Sequence, residues 1–173
     1  SNIIPLPKKT CGKEMNDFRP VALTPVVAKC MERMVCRQLT ASVADRLDPL
    51  QFAYRAGRGV EDATLTLVDV IASHLDSANT AVRVLFMDLS AAFCTIQHHV
   101  LIQELLDLNV NSDLILWIRE FLRDRPQRVS LSLPGGDGSP TSVFSDVIVL
   151  NTGAPQGCVL SPVLFLLYTN DVR

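Results

Sequence analysis

Asp88 is a carboxylate set directly behind an apolar run. Residues 81–87, AVRVLFM, place Val, Leu, Phe and Met on both alternating faces, the pattern of a strand buried on both sides. Such a strand cannot bury an ionised carboxylate at its end without a partner, and a metal cation is one such partner. Phe93 follows five residues later. A capping Asp and a core Phe would account for the same spacing, so the chemistry has to be argued from other parts of the chain. Basic side chains form a second set: Lys8, Lys9 and Arg19 flank a polar loop, and Arg55 and Arg58 occupy a glycine-punctuated one. An Arg fork and a Lys point charge are complementary grips on a polyanion. The third set is Gln156 and Gly157, an amide able to hydrogen-bond beside a glycine whose backbone can be approached closely. Cys94, His98 and His99 fall short of the four ligands of a structural zinc site, with no second cluster to complete them.

The elements that must position these groups are legible in the spacing. Pro5 and Pro7 break a short extended stretch at residues 2–6, and Thr24-Pro25 predicts a helix start. Val27, Met31, Met34, Val35, Leu39, Val43 and Leu47 then repeat at helical steps until Asp48-Pro49. A helix from about Glu61 to Ser77 follows, with Gly59 in place of a hydroxyl cap, and residues 97–108 and 112–123 predict two amphipathic helices. Residues 127–133 alternate as a half-buried strand, PGGDGSP turns the chain, and 141–150 return. Ser161-Pro162 opens a last helix.

Composition sets the outer bounds. A chain of 173 residues with 48% hydrophobic and 20% charged residues is an ordinary globular domain with a real core, and no apolar run reaches a membrane span. The net charge of −2 divides unevenly. Residues 1–60 hold ten Lys/Arg against five Asp/Glu, a net +5; residues 61–173 hold six against thirteen, a net −7. A basic front suits phosphates and an acidic back suits cations. The five cysteines, scattered with no C-x-x-C pair, read as reduced thiols of an intracellular protein. The opening SNIIPLP, without an initiator Met, reads as the start of a piece cut from something longer.

Three separated segments resemble one family in the right order. IIPLPKK…NDFRPVAL resembles the fingers hairpin of reverse transcriptases, D-x-x-x-A-F at 88–93 their first catalytic motif, and LNTGAPQGCVLSPVLF their second palm motif. QFAYRAGRG resembles their template-holding segment. The likeness is closest to the non-LTR (LINE-type) retrotransposon enzymes and runs from Ile3 to Asp171. It implies an α/β (α+β) fold of the right-hand polymerase kind, with fingers at 1–80, a partial palm at 81–173, and a mainly antiparallel palm sheet backed by helices. It also implies RNA-directed DNA polymerase chemistry: two-metal nucleotidyl transfer with Mg2+, an RNA template, a DNA primer and dNTP. By resemblance Asp88 is the catalytic residue and metal ligand. Lys8 (or Lys9), Arg19, the amides of Ala91 and Ala92, Phe93, Gln156 and Gly157 would contact the nucleotide, and Arg55 and Arg58 the template. Phe93 would exclude a ribose 2′-hydroxyl, which favours this reading over an RNA-dependent RNA polymerase. The resemblance further implies a location in cytoplasm and nucleus, without a membrane partner.

The departures matter equally. Cys94 stands where the family commonly has Asp or Asn, Val60 where it often has Ser or Thr, and the third motif, an Asp-Asp turn, has no counterpart anywhere in the sequence. The isolated chain is therefore expected to be inactive and to bind Mg2+ weakly. The alternative expectation is a non-catalytic, transposon-derived relic that folds or binds nucleic acid.

Overall fold

The first hairpin is set by prolines at a sheet edge. β1 (Asn2–Pro7) pairs antiparallel with β2 (Phe18–Leu23), with Ile3 opposite Ala22 and Pro5 opposite Pro20. Proline donates no ladder hydrogen bond and is tolerated at edges; β2 is the edge of the order β2-β1-β3-β4. The computed structural model in which this is seen describes residues 1–10, 12–89, 91–134 and 140–170. Most of the turn expected at 134–140, and Asp171, lie outside them.

A short parallel pairing, Asn2 with Arg128 and Ile3 with Val129, joins β1 to β3 (Arg125–Pro134). The single return strand expected over 141–150 is instead two strands, β4 (Pro140–Phe144) and β5 (Ile148–Leu150), both antiparallel to β3. Ser145 makes the break: its hydroxyl accepts from the Val129 amide at 2.9 Å while its own amide donates to the Val129 carbonyl at 3.0 Å. A side chain thus takes the place of a ladder partner. The sheet is mainly antiparallel and backed by helices, as the sequence implied.

The helices are α1 (Val26–Val43), α2 (Val60–Leu75), α3 (His98–Asp107), α4 (Ser112–Leu122) and α5 (Ser161–Tyr168). Asn111 caps α4 by accepting from the Asp113 amide at 2.8 Å, and the Gly59 amide at the head of α2 donates to Asp62 Oδ2 at 2.7 Å. Two expected hydroxyl caps are not made. Thr24 Oγ1 lies 3.4 Å from Cys158 Sγ, and Ser161 Oγ donates to the Pro155 carbonyl at 2.5 Å. Both hydroxyls have tertiary partners that outcompete the local amide.

The core gathers Leu39, Val43 and Leu47 with Ile96, Leu101, Leu105, Ile115, Ile118, Leu122, Leu160, Leu164 and Leu167. Trp117 stacks on Phe121 at its margin, ring centroids 5.4 Å apart. Only the second half of the α1 stripe joins this core: Val27, Met31 and Met34 are exposed. The inward position of the first half is taken by Glu32, 1% exposed, seven residues before Leu39.

The largest correction concerns residues 81–87. They form no strand but an irregular segment, with Leu85, Phe86 and Met87 about four-fifths exposed (81%, 82% and 79%). A strand exists by its ladder, and among the described residues no strand pairs with this segment. An apolar run predicts burial only where neighbours are present to supply it.

Glu32 is the polar tie between α1 and the chain before α5. Its Oε2 accepts from the Val159 amide at 2.7 Å and the Leu160 amide at 3.2 Å, two donors at a helix N-terminus where negative charge is favoured. Glu32→Ala leaves both amides unpaired in the interior, a loss of roughly 2–4 kcal/mol. The melting temperature should fall by roughly 5–15 °C. Glu32→Gln, which keeps an acceptor, should lose less than half of that; a thermal melt of Glu32→Ala matching the unsubstituted chain would show that the tie contributes nothing.

Candidate functional site

The stretch 151–157 is where the separate motifs meet. Its backbone docks on the segment after Asp88: the Gly153 amide donates to the Ile96 carbonyl at 2.8 Å and the Ala154 amide to the Phe93 carbonyl at 2.7 Å. Three residues on, the Gln156 carbonyl accepts from the Ala22 amide of β2 at 2.7 Å, covering the hairpin edge. The Gln156 side chain donates to Cys94 Sγ at 3.4 Å. Gly153 has φ +69°, and a Cβ there would lie 2.7 Å from the Cys94 carbonyl oxygen and 2.8 Å from its Cα. Gly157 has φ +92° and would place a Cβ 2.9 Å from Val21 Cγ1. The close approach that Gly157 permits in this structure is that of β2. A cavity of about 270 Å³ opens beside this junction, lined by Ile3, Pro20, Cys94, Arg125, Gln127 and Gln156 among others.

Phe93 stands in a short 3-10 turn, Ala92–Cys94, entered through Ala91 in the left-handed region at φ +55°. Its ring is half-buried, 5.4 Å from the Phe165 ring of α5 and 6.4 Å from that of Tyr54. Gln156 thus meets the Phe93 turn at Cys94, while Gly157 lies against Val21 and Ala22 of β2. The basic residues are distributed differently. Lys8 Nζ donates to the Asn16 carbonyl at 2.8 Å within the hairpin loop, and Lys9 pairs with Asp17 at 3.5 Å. Amides of Lys13 and Glu14, with Lys9 alongside, hold the Asp17 carboxyl below the usual carboxylate range. Arg19 is exposed on β2. Arg55 donates to the carbonyls of Asp48, at 2.8 Å, and Gln51, and Arg58 to that of Pro49 while lying over the Phe52 ring. Both arginines thus brace the 48–52 turn, a use the sequence did not suggest.

Asp88 is exposed in the irregular segment. Among the described residues no group of three or more His, Cys, Asp or Glu side chains stands close enough to hold a metal ion. Two-metal chemistry shares its charge over several carboxylates, and the described residues do not compose such a seat.

Sequence reasoning overlooked the residues that hold this junction. Arg125, at the head of β3, donates from Nε to the Leu122 carbonyl at 3.0 Å and from Nη2 to those of Thr152 at 2.5 Å and Gly153 at 2.8 Å. Burial brings its guanidinium pKa below the ordinary arginine value. His98 Nε2 donates to the same Gly153 carbonyl at 2.8 Å. The signal for Glu32 was present, a charge in heptad step with Leu39; the signal for Arg125 was not, since it reads as one charge in a polar run, RDRPQR.

The close approach at Gly153 can be separated from backbone strain. Gly57, at φ +72°, would meet no heavy atom within 4 Å if given a Cβ. Gly57→Ala should therefore cost only the left-handed penalty, about 1–2 kcal/mol. Gly153→Ala adds a clash with backbone that cannot rotate away, for roughly 2–5 kcal/mol in all. Urea unfolding of the two variants checks this, and equal losses would mean the Gly153 contact is not kept in solution.

Comparison with known proteins accords with this arrangement. Residues 6–173 match the family described as Reverse transcriptase (RNA-dependent DNA polymerase). The chain is 27% identical over 161 residues to the RNA-directed DNA polymerase from mobile element jockey of Drosophila melanogaster, covering 92% of this chain and 16% of that protein. It is 26% identical to the probable RNA-directed DNA polymerase from transposon X-element of the same species, over 92% of this chain and 17% of that protein. The type-2 retrotransposable element R2DM polyprotein is 25% identical over 94% of this chain and 14% of its own length. The chain thus spans about a sixth of the curated relatives it matches. With a family match over almost its whole length and these relatives, the chain belongs to the reverse transcriptase family, among those of non-LTR retrotransposons.

Proposed function

We propose that this chain supplies the fingers (1–80) and partial palm (81–173) of an RNA-directed DNA polymerase, holding dNTP and template for DNA synthesis from an RNA template and DNA primer. The observation that carries it is the junction at 151–157, where Phe93, Gln156 and the edge of the β1–β2 hairpin share one place. In this reading Arg19 and Lys8 attract the triphosphate, the amides of Ala91 and Ala92 face it, Gln156 and Gly157 frame the base, and Phe93 lies against the sugar. Arg55 and Arg58 touch template phosphate while bracing their own turn. Divalent metal belongs to the family's chemistry; Asp88 is this chain's candidate ligand, and Mg2+ at a two-ion seat requires carboxylates beyond those described. Action in cytoplasm and nucleus belongs to the same proposal. A second reading, a transposon-derived chain that binds nucleic acid without catalysis, draws on the lack of an acidic cluster among the described residues.

Binding tests the shared part of both readings. A gel shift with an RNA–DNA primer duplex should show salt-sensitive, sequence-indifferent affinity, with log K falling linearly in log salt. Lys8→Glu with Arg19→Glu should weaken it; Arg19 is exposed on β2 and Lys8 reaches the Asn16 carbonyl in the hairpin loop, whereas Arg55 and Arg58 brace the 48–52 turn. Unchanged binding in the double variant would move the contact surface elsewhere. Primer extension by the same chain would eliminate the non-catalytic reading.

Phe93 tests the polymerase reading in a chain that carries this domain and extends primers. A ring beside the sugar discriminates sterically, so Phe93→Val should raise ribonucleotide incorporation far more than it lowers deoxynucleotide incorporation. The lost contacts with Phe165 and Tyr54 should also cost roughly 1–3 kcal/mol. A lower melting temperature is thus expected either way, and the ratio of the two efficiencies decides. Equal losses on both substrates would leave Phe93 as packing alone.

A further inference from the structure

We propose that Arg125 is a positioning residue for the nucleotide subsite, acting through the 152–156 turn; this rests on the functional reading above. Its guanidinium reaches three carbonyls that belong to two different parts of the chain. Nε donates to Leu122 at the end of α4, and Nη2 to Thr152 and Gly153. The register makes this reach possible, because Arg125 pairs with Leu150, the last residue before the turn. The neighbouring Asp124 amide donates to Asn151 Oδ1 at 2.7 Å, so the turn is gripped on its leading side as well.

What the turn then does is fixed by geometry. Gly153 and Ala154 donate to Ile96 and Phe93, and Gln156 reaches Cys94 with its side chain and Ala22 with its carbonyl. Arg125 donates to neither Phe93 nor Gln156, yet the turn it holds carries Gln156 and donates from Ala154 to the Phe93 carbonyl. His98 shares the Gly153 carbonyl but supplies a single donor from α3. A planar guanidinium can serve several carbonyls at once, and a lysine ammonium on a flexible stem cannot hold the same fork. Without Arg125 the turn keeps its bonds to 93–96 but loses its tie to α4, so the turn and the Phe93 segment docked on it become free to shift together relative to α4 and β3.

The test has two arms on the chain as it stands. Amide hydrogen exchange reads the grip: Arg125→Ala should accelerate exchange at Gly153 and Ala154, while the amides of α3 and α4 keep their protection. Equilibrium binding of dTTP in the presence of an RNA–DNA primer duplex reads the consequence: Arg125→Ala should raise Kd roughly tenfold with the number of sites unchanged. Arg125→Lys should fall between, and millimolar guanidinium should partly restore the alanine variant. A merely structural role would lower the number of competent sites at constant Kd, with no rescue. Unchanged exchange, or faster exchange with unchanged Kd, overturns the inference while leaving the nucleotide-site reading intact. No dTTP binding by the unsubstituted chain sinks that reading, and the inference with it.

Discussion

Gly153 has no side chain, and the arrangement around it depends on that. Its backbone lies so near Cys94 that even a methyl group would overlap main-chain atoms. Because the two backbones touch, their amides and carbonyls can satisfy each other at sequence separations of 57 and 61, as Gly153 with Ile96 and Ala154 with Phe93 do. Buried backbone groups must find partners, so this contact fixes where the segment after Asp88 runs. The next residues then meet β2, where Gly157 repeats the device against Val21 at φ +92°. One turn with two glycines thus joins the hairpin, the Phe93 segment and α5.

Charge is used inside this framework in two opposite ways. Glu32 carries a carboxylate into the interior, where desolvation is costly, and recovers part of that cost from two amides preceding α5. Its other oxygen, Oε1, is buried without a hydrogen-bond partner among the described residues. Arg125 does the complementary thing, bringing a cation to carbonyls at the end of α4 and in the turn. Among the described residues neither group pairs with an opposite formal charge; each serves backbone dipoles. Burial also pushes the nearby Cys158 thiol up, so it remains the neutral member of the same neighbourhood.

Much of this was legible in the sequence, and the misses share a cause. Local chemistry read well: α2 and α4 start within a residue of expectation, and the order of motifs led to the family. The alternation at 127–133 found β3, although the apolar face it marked, Val129, Leu131 and Leu133, is exposed rather than half-buried. Residues 81–87 misled because a run apolar on both faces states only what the strand would need, not whether neighbours are there. Arg55 and Arg58 were read as template contacts, and the bracing of their own turn through its carbonyls was not foreseen. The caps at Thr24 and Ser161 failed for a tertiary reason, since Cys158 and Pro155 are distant or non-helical partners that no local rule counts. Glu32 alone could have been found, as a charge on the heptad of an otherwise inward face.

The parallel pair of β1 with β3 has a consequence for how such a chain is made. Its partners, like Asn2 with the Arg128 side chain, are 126 residues apart, and parallel pairing must wait for the whole intervening length. Closing so long a loop is entropically costly and topologically slow. The core is likewise completed by Leu160, Leu164 and Leu167, near the end of the described chain. On a ribosome the β1–β2 hairpin and α1 therefore emerge early with their apolar faces uncovered, and they stay so until α5 is out. Synthesis order and assembly order run against each other in this fold, and apolar surface stays uncovered in the interval.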